Sequence, residues 1–314
     1  MAEKKLAEKK FRLITRADFD GVVCGALFNE LDMIDDIVFA EPNDMQRERI
    51  PVSDKDISAN LPFVEGIHLC FDHHASEIER VGERDNLIID ADAPSAARVV
   101  YSHFGGEDAF SSISEDLLAA VDQADSAQYT KEDILAPEKW TLLNFIVDPR
   151  TGLEGIKGFS IPHNHFLYDL MTYCRHNPIN EILELPDVME RVHAYQYQKE
   201  FSELQLVRCA KVHGNLVVVD LRDEDLIYTC NRFLIYALNP ECNISMHLVP
   251  GTDEGTTAIG VGKSILDRSS KTNIGSLLLD FGGGGHEAAG GCKVGNEDAD
   301  AVVEQLIERI TADG

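Results

Sequence analysis

The chain has 314 residues, 44% of them hydrophobic and 26% charged, which is an ordinary globular composition with room for two domains and a sizeable core. Its 28 basic against 55 acidic residues give a formal charge of -27. Such a surface repels long polyanions, so it argues against a general nucleic-acid binder and for a small substrate, or only the end of a longer one. No apolar run approaches the ~20 residues of a membrane span, and the charged start "MAEKKLAEKKFRLIT" lacks the apolar centre of a secretory signal. A soluble cytoplasmic protein is expected, with no membrane and no extended duplex nucleic acid among its partners. Seven scattered cysteines without a C-x-x-C pair are expected to be reduced thiols rather than a disulfide frame.

In chain order, "FRLITRADFDGVVCGALFNEL" reads as a strand, an acidic turn and a helix from about Gly21, with Val22, Val23, Ala26, Leu27 and Leu31 at helical spacing. "DIVFA" and "GIHLCF" are short β-branched or apolar runs between polar turns, hence strands. "SAARVVYSHF" and "EDLLAAVDQA" read as helices. Alternation of strand and helix predicts an α/β fold with an N-terminal doubly wound parallel sheet, in which ligands bind beyond the carboxyl ends of the strands. Residues 151–186, rich in Gly, Pro, His and Asn, read as loops with short helices. A Gly-free helical pattern then runs from Pro186 to about Val207. Beyond it "NLVVVDL", "CNISMHLV" and "TTAIGVGKSI" read as strands, with helices near 229–238, 273–281 and 297–311. The expected organisation is a first domain over 1–186, a helical linker over 187–207, and a smaller C-terminal α/β domain over 208–314.

Chemistry concentrates in three stretches. Asp18 and Asp20 in "RADFDG" can converge on one cation, an arrangement that is costly unless a cation or a proton neutralises it. "FDHHAS" brings Asp72, His73 and His74 to the end of another strand. Carboxylate plus imidazole suits Mn²⁺, or Mg²⁺ where oxygen dominates. Asp125, or failing it Asp122, could complete the shell, the other serving as cap or support. In "DFGGGGHEAAGG", Gly283, Gly284 and Gly285 let backbone amides approach an anion, and His286 can donate to phosphate. The residues after the glycines read as a loop entering a small-residue helix. "GVGKS" is not a P-loop, because Thr257 stands where its first glycine belongs. Lys263 and Ser264 remain candidate phosphate contacts.

Together, "DFDG", "DHH" and "GGGGHEAAGG" resemble the DHH phosphoesterase family with its DHH-associated C-terminal domain. "DPRTGL" and "GVGKSILDRSSKTNIG" add a likeness to bacterial exopolyphosphatase-related members. The resemblance implies hydrolysis of phosphoester or phosphoanhydride bonds at one or two divalent ions, Mn²⁺ or Mg²⁺, in a cleft between the domains. Carried over, it makes Asp18, Asp20, His73 and Asp125 metal ligands, with His74 on the scissile phosphate and Asp72 orienting both histidines. His286 and the Gly283–Gly285 backbone would hold the non-scissile end. The substrate would be polyphosphate, a short oligonucleotide or a small nucleotide, and a homodimer is one expected assembly. Two positions depart from the pattern. Arg16 lies where many members carry a histidine and becomes an anion contact, and Asn60 falls where many carry a metal-bridging aspartate, with Asp54 and Asp56 as less natural substitutes. These departures motivate an alternative, a catalytically weakened nucleotide- or polyphosphate-binding sensor on the same scaffold.

Overall fold

The computed structural model describes residues 10–314, and the reading of the charged start over residues 1–9 lies outside them. Contacts divide the chain into two units, one of residues 1–128 with 137–194 and one of 129–136 with 195–314.

The first unit is built on strands β1 (Phe11–Thr15), β2 (Ile34–Phe39), β3 (Asp56–Ala59), β4 (Leu69–Asp72) and β5 (Leu87–Ile89). They pair in the order β2-β1-β3-β4-β5, every pair parallel. Strands buried on both faces read as short apolar runs, which is why "FRLIT" and "LCFD" carry so little alternation. Helix α1 (Phe19–Glu30) follows β1 and is buried from Phe19 through Phe28. A helix that is apolar all round belongs in a core. It starts two residues before the expected Gly21, because the Asp18 side chain caps it by accepting from the Gly21 amide at 3.0 Å. Gly21 is required there, since a Cβ would lie 2.0 Å from the Arg16 carbonyl oxygen.

The unit continues through α2 (Ala75–Val81), α3 (Ala96–His103), α4 (Glu115–Asp125), α5 (Lys139–Val147) and α6 (His163–His176). Helix α6 corrects the reading of 151–186 as loops with short helices. Its 14 residues bury Phe166, Leu167, Leu170, Met171 and Cys174 on one stripe, and the polar His and Asn at its start hide that stripe from composition alone.

Helix α7 (Pro186–Cys209) is the long Gly-free helix, and its residues divide between the units at 194/195. The second unit carries β6 (Ala210–His213), β7 (Leu216–Asp220), α8 (Leu234–Leu238), β8 (Ile244–Pro250), β9 (Thr256–Lys263), α9 (Ile274–Leu279), β10 (Gly284–Gly285), β11 (Ala289–Gly295) and α10 (Asn296–Asp313). Its sheet order is β10-β11-β9-β8-β7-β6, with β7 and β8 parallel and the other pairs antiparallel. Ile244, Met246, Leu248, Ile259 and Val261 alternate onto one face and pack against α9 and α10. The helix expected over 229–238 shrinks to the five residues of α8.

The stretch after the four glycines is not a loop entering a helix but a tight hairpin, Gly284 opposite Gly291 and Gly285 opposite Gly290. Small residues permit the close backbone approach: a Cβ on Gly283 would lie 2.3 Å from the Gly291 oxygen, and one on Gly290 2.4 Å from the Gly284 oxygen. All seven cysteines are free. No helix among the described residues is long and apolar enough to cross a membrane.

Candidate active site

A parallel sheet of order 2-1-3-4-5 reverses direction of winding between β1 and β3, and ligands bind outside the carboxyl ends of the strands at such a point. Register aligns those ends. Thr15 pairs with Ala59, and Ala59 with Phe71. The chain therefore leaves β1 into Arg16–Asp20, β3 into Asn60 and β4 into His73 and His74 side by side.

Asp20, His73 and Asp125 bring one ligand atom each to within 4.8 Å of one another. Asp20 is buried, and its two oxygens accept from the amides of Ala96 and Ala97 at 3.1 and 2.8 Å, in the first turn of α3. That helix terminus offers donors and positive dipole to a carboxylate. His73 is held through Nδ1, 3.2 Å from the Ala93 carbonyl oxygen. Its Nε2 lies 2.8 Å from Asp125 Oδ2 yet is buried without a properly directed hydrogen bond.

The electrostatics are strained accordingly. Burial raises the pKa of Asp20 well above the usual carboxylate value, and the nearby charges of Asp125 and Asp18 add to it. Burial also raises Asp18, with Arg16 opposing and Asp125 reinforcing the shift. Burial alone would lower His73, but Asp125, Asp20 and the Ala93 carbonyl outweigh it and lift its pKa to about 9. Three carboxylates around one imidazole fit a hard divalent cation, which would take the place of the shared protons. A second triplet, Asp72 with His73 and His74, is geometrically close enough to hold an ion, but hydrogen bonds occupy it. Asp72 Oδ1 accepts from the His73 amide at 2.8 Å, the His74 amide at 3.3 Å and His74 Nδ1 at 2.7 Å. The carboxylate thus assigns the proton to His74 Nδ1 and leaves Nε2 of that half-exposed ring for a ligand.

The remaining sequence candidates divide. Asp18 is not a member of the compact triplet: one oxygen caps α1 and the other lies 3.4 Å from Arg16 Nε. Asp122 is turned away, taking Ser95 Oγ at 2.7 Å and Arg98 Nε at 2.9 Å, so it locks the start of α3 beneath Asp20. Asn60 is buried in a left-handed conformation (φ 58°), and neither its Oδ1 nor its Nδ2 has a hydrogen-bond partner. A buried amide left so costs about 1–3 kcal/mol. Asp56 is tied to Arg12 and Ser53.

In the second unit, His286 is exposed and Lys263 Nζ stands 3.2 Å from Glu287. Ser264 Oγ accepts from the amides of Leu266 and Asp267, and the Gly283 amide donates to the Leu278 carbonyl.

Arg150 escaped the sequence reading. Its charge is held against desolvation by Asp148 first, then by Asp18 and Asp125. The signal was "DPR", a Pro-started turn in which an aspartate two residues back fixes an arginine.

The chain is 48% identical to the pGpG-specific phosphodiesterase PggH from Vibrio cholerae, with a TM-score of 0.88, covering 97% of this chain and 100% of that one. RecJ from Thermus thermophilus, in complex with Mn²⁺, shares the fold at a TM-score of 0.59 and 12% identity over 99% of this chain and 53% of that one. CDC45 from Entamoeba histolytica does so at 0.56 and 10%, over 98% and 97%. No protein-family model matches the chain, and neither does any curated protein. The likeness to a phosphodiesterase over nearly the whole of both chains makes this α/β protein a phosphoesterase. The chain belongs to the DHH phosphoesterase family.

Proposed function

We propose that the protein hydrolyses the phosphodiester bond of a short 5′-phosphorylated dinucleotide, pGpG or a near analogue, with a divalent cation at Asp20, His73 and Asp125. The observation that supports the cation is that Asp20, His73 and Asp125 bring one ligand atom each to within 4.8 Å of one another, with His73 Nε2 2.8 Å from Asp125 Oδ2. The substrate class is supported by the 48% identity, over nearly the whole of both chains, to a pGpG-specific phosphodiesterase. It also suits a strongly acidic chain, which a long polyanion would avoid.

The bound Mn²⁺ or Mg²⁺ would supply Lewis-acid polarisation of a phosphoryl oxygen. The protein's own groups do the rest. Asp72 holds His74 so that Nε2 meets the scissile phosphate as charge develops on it. Arg16 beside Asp18 offsets the negative charge of the carboxylates toward an incoming anion. Asn60 is read as a neutral ligand to the cation or to the phosphate, matching its unpartnered amide. Asp18 supports the triplet as a charge or as a further ligand. In the second unit, exposed His286 beside the glycine hairpin and Lys263 are carried as candidate phosphate contacts of that unit.

The test is turnover of pGpG by the metal-stripped full chain with Mn²⁺ or Mg²⁺ restored, followed by chromatography of the nucleotide products. Cation-dependent release of GMP is expected, at rates above those for polyphosphate and 3′-phosphorylated nucleotides. No turnover with either ion would sink the reading.

A further inference from the structure

Asp20 and Asp125 belong to the proposed cation site, Asp18 acts on both electrostatically and Asp72 adjoins His73, so a phosphodiester must approach several carboxylates. One divalent ion does not balance that charge, so a fixed protein cation is needed on the substrate's side. Arg16 is partly spent on Asp18.

Helix α5 ends at Val147, packed against α4, whose last residue is Asp125. Asp148 follows immediately, buried, and starts a short 3-10 turn, Pro149–Thr151. Its Oδ1 accepts from both the Arg150 amide at 2.9 Å and Arg150 Nε at 2.7 Å. Two bonds to one oxygen fix the side chain by its Nε edge and leave Nη1 and Nη2 for a ligand. The Arg150 side chain stays 43% exposed, while the carboxylate holding it is 7% exposed. A purely structural pair would gain little from such an exposed arginine. Outside its own turn, the charges acting on it are those of Asp18 and Asp125, so the guanidinium lies within electrostatic reach of the site.

We infer that Arg150 is a substrate-binding residue of the first unit, its guanidinium fork taking a non-bridging oxygen pair of the scissile phosphate, with Asp148 as its positioning residue. This rests on the phosphodiesterase reading. Arginine suits the task because its planar fork matches two phosphate oxygens, whereas an ammonium acts as a point charge.

The experiment uses the full chain with Mn²⁺ and two probes, inorganic phosphate by calorimetry and pGpG by turnover, on wild type, Arg150→Gln and Arg150→Lys. Arg150→Gln is expected to weaken phosphate binding at least about tenfold and to lower kcat/KM by about 10²-fold or more, with Mn²⁺ affinity unchanged. Arg150→Lys should recover part of the phosphate affinity but remain about tenfold below wild type in kcat, which a fold-supporting arginine would not show. It also serves where Arg150→Gln folds poorly. Equal phosphate binding by wild type and Arg150→Gln, or none by either, overturns the assignment. If wild type binds phosphate through Arg150 but leaves pGpG intact, the phosphodiesterase reading falls and the arginine stands. If wild type turns over pGpG and Arg150→Gln matches it, the reading stands and the arginine falls.

Discussion

As sequence, the carboxyl edge of the first unit's sheet resembles the glycine hairpin of the C-terminal unit, each being a short run of histidine, acid and glycine. As structures they are opposites. The sheet edge is electrostatically unfinished: Asp20 is buried among like charges, His73 Nε2 has no hydrogen bond, and the Asn60 amide is buried with neither end satisfied. The hairpin is finished by its own backbone, Gly283 donating to Leu278 and the His286 amide to the Ala289 carbonyl. The His286 side chain is left outward, with Glu287 beside it. Unsatisfied buried groups cost stability and persist where a ligand completes them, whereas a closed hairpin offers a surface. The sheet edge should therefore answer to metal and pH, and the hairpin to substrate alone.

Asp20→Asn gives the largest expected effect. It keeps the shape, removes the charge, and should abolish Mn²⁺ binding by calorimetry while lowering kcat by about 10³-fold. Normal metal affinity in this variant would break the contrast between the two regions at once. Next comes the histidine pair: His74→Ala should chiefly lower kcat, and His286→Ala chiefly raise KM. Should His286→Ala change neither constant, the hairpin has no part in binding.

Stability against pH sharpens the same contrast. His73 has a pKa raised from 6.5 to about 9 in the metal-free fold. Its ion pair with Asp125 is thus fully present below about pH 6.5 and is lost as pH rises through about 9. Metal-free Tm should fall across that window, and the gain in Tm on adding Mn²⁺ should grow, because the ion needs the neutral ring. A gain that shrinks toward pH 9 would contradict the ligand assignment. The smallest effects are expected at supporting positions. Asp122→Ala should cost about 1–3 kcal/mol of stability by stranding Arg98 and Ser95, with Mn²⁺ affinity altered little. Asn60→Asp should raise cation affinity modestly, read by the same titration.

Much of this is legible in the sequence. Short apolar runs alternating with helices pointed to the parallel sheet, and "DFD" and "DHH" at strand ends pointed to the site, because those positions are dictated by period and by where open sheets bind ligands. Three features were not legible. The sequence ranks Asp125 before Asp122 but cannot show why: the partners Ser95 and Arg98 of Asp122, and His73 of Asp125, are long-range. The hairpin at 284–295 was hidden since glycine carries no periodic signal. The coupling of Arg150 to Asp18, more than 120 residues earlier, depends on how the chain folds: "DPR" shows that the arginine is fixed but not which charges it meets.

The central claim is that His73 and Asp125 share a divalent cation in place of a proton. Calorimetric titration of Mn²⁺ into the metal-free protein near pH 7.5, repeated in buffers of different ionisation enthalpy, measures both the affinity and the protons released. The account predicts one bound ion at this triplet with release of about one proton, since His73, with a pKa of about 9, is protonated before the ion enters. His73→Ala should lose both the affinity and the proton. Binding of equal strength in wild type and His73→Ala, with no proton released, would contradict it.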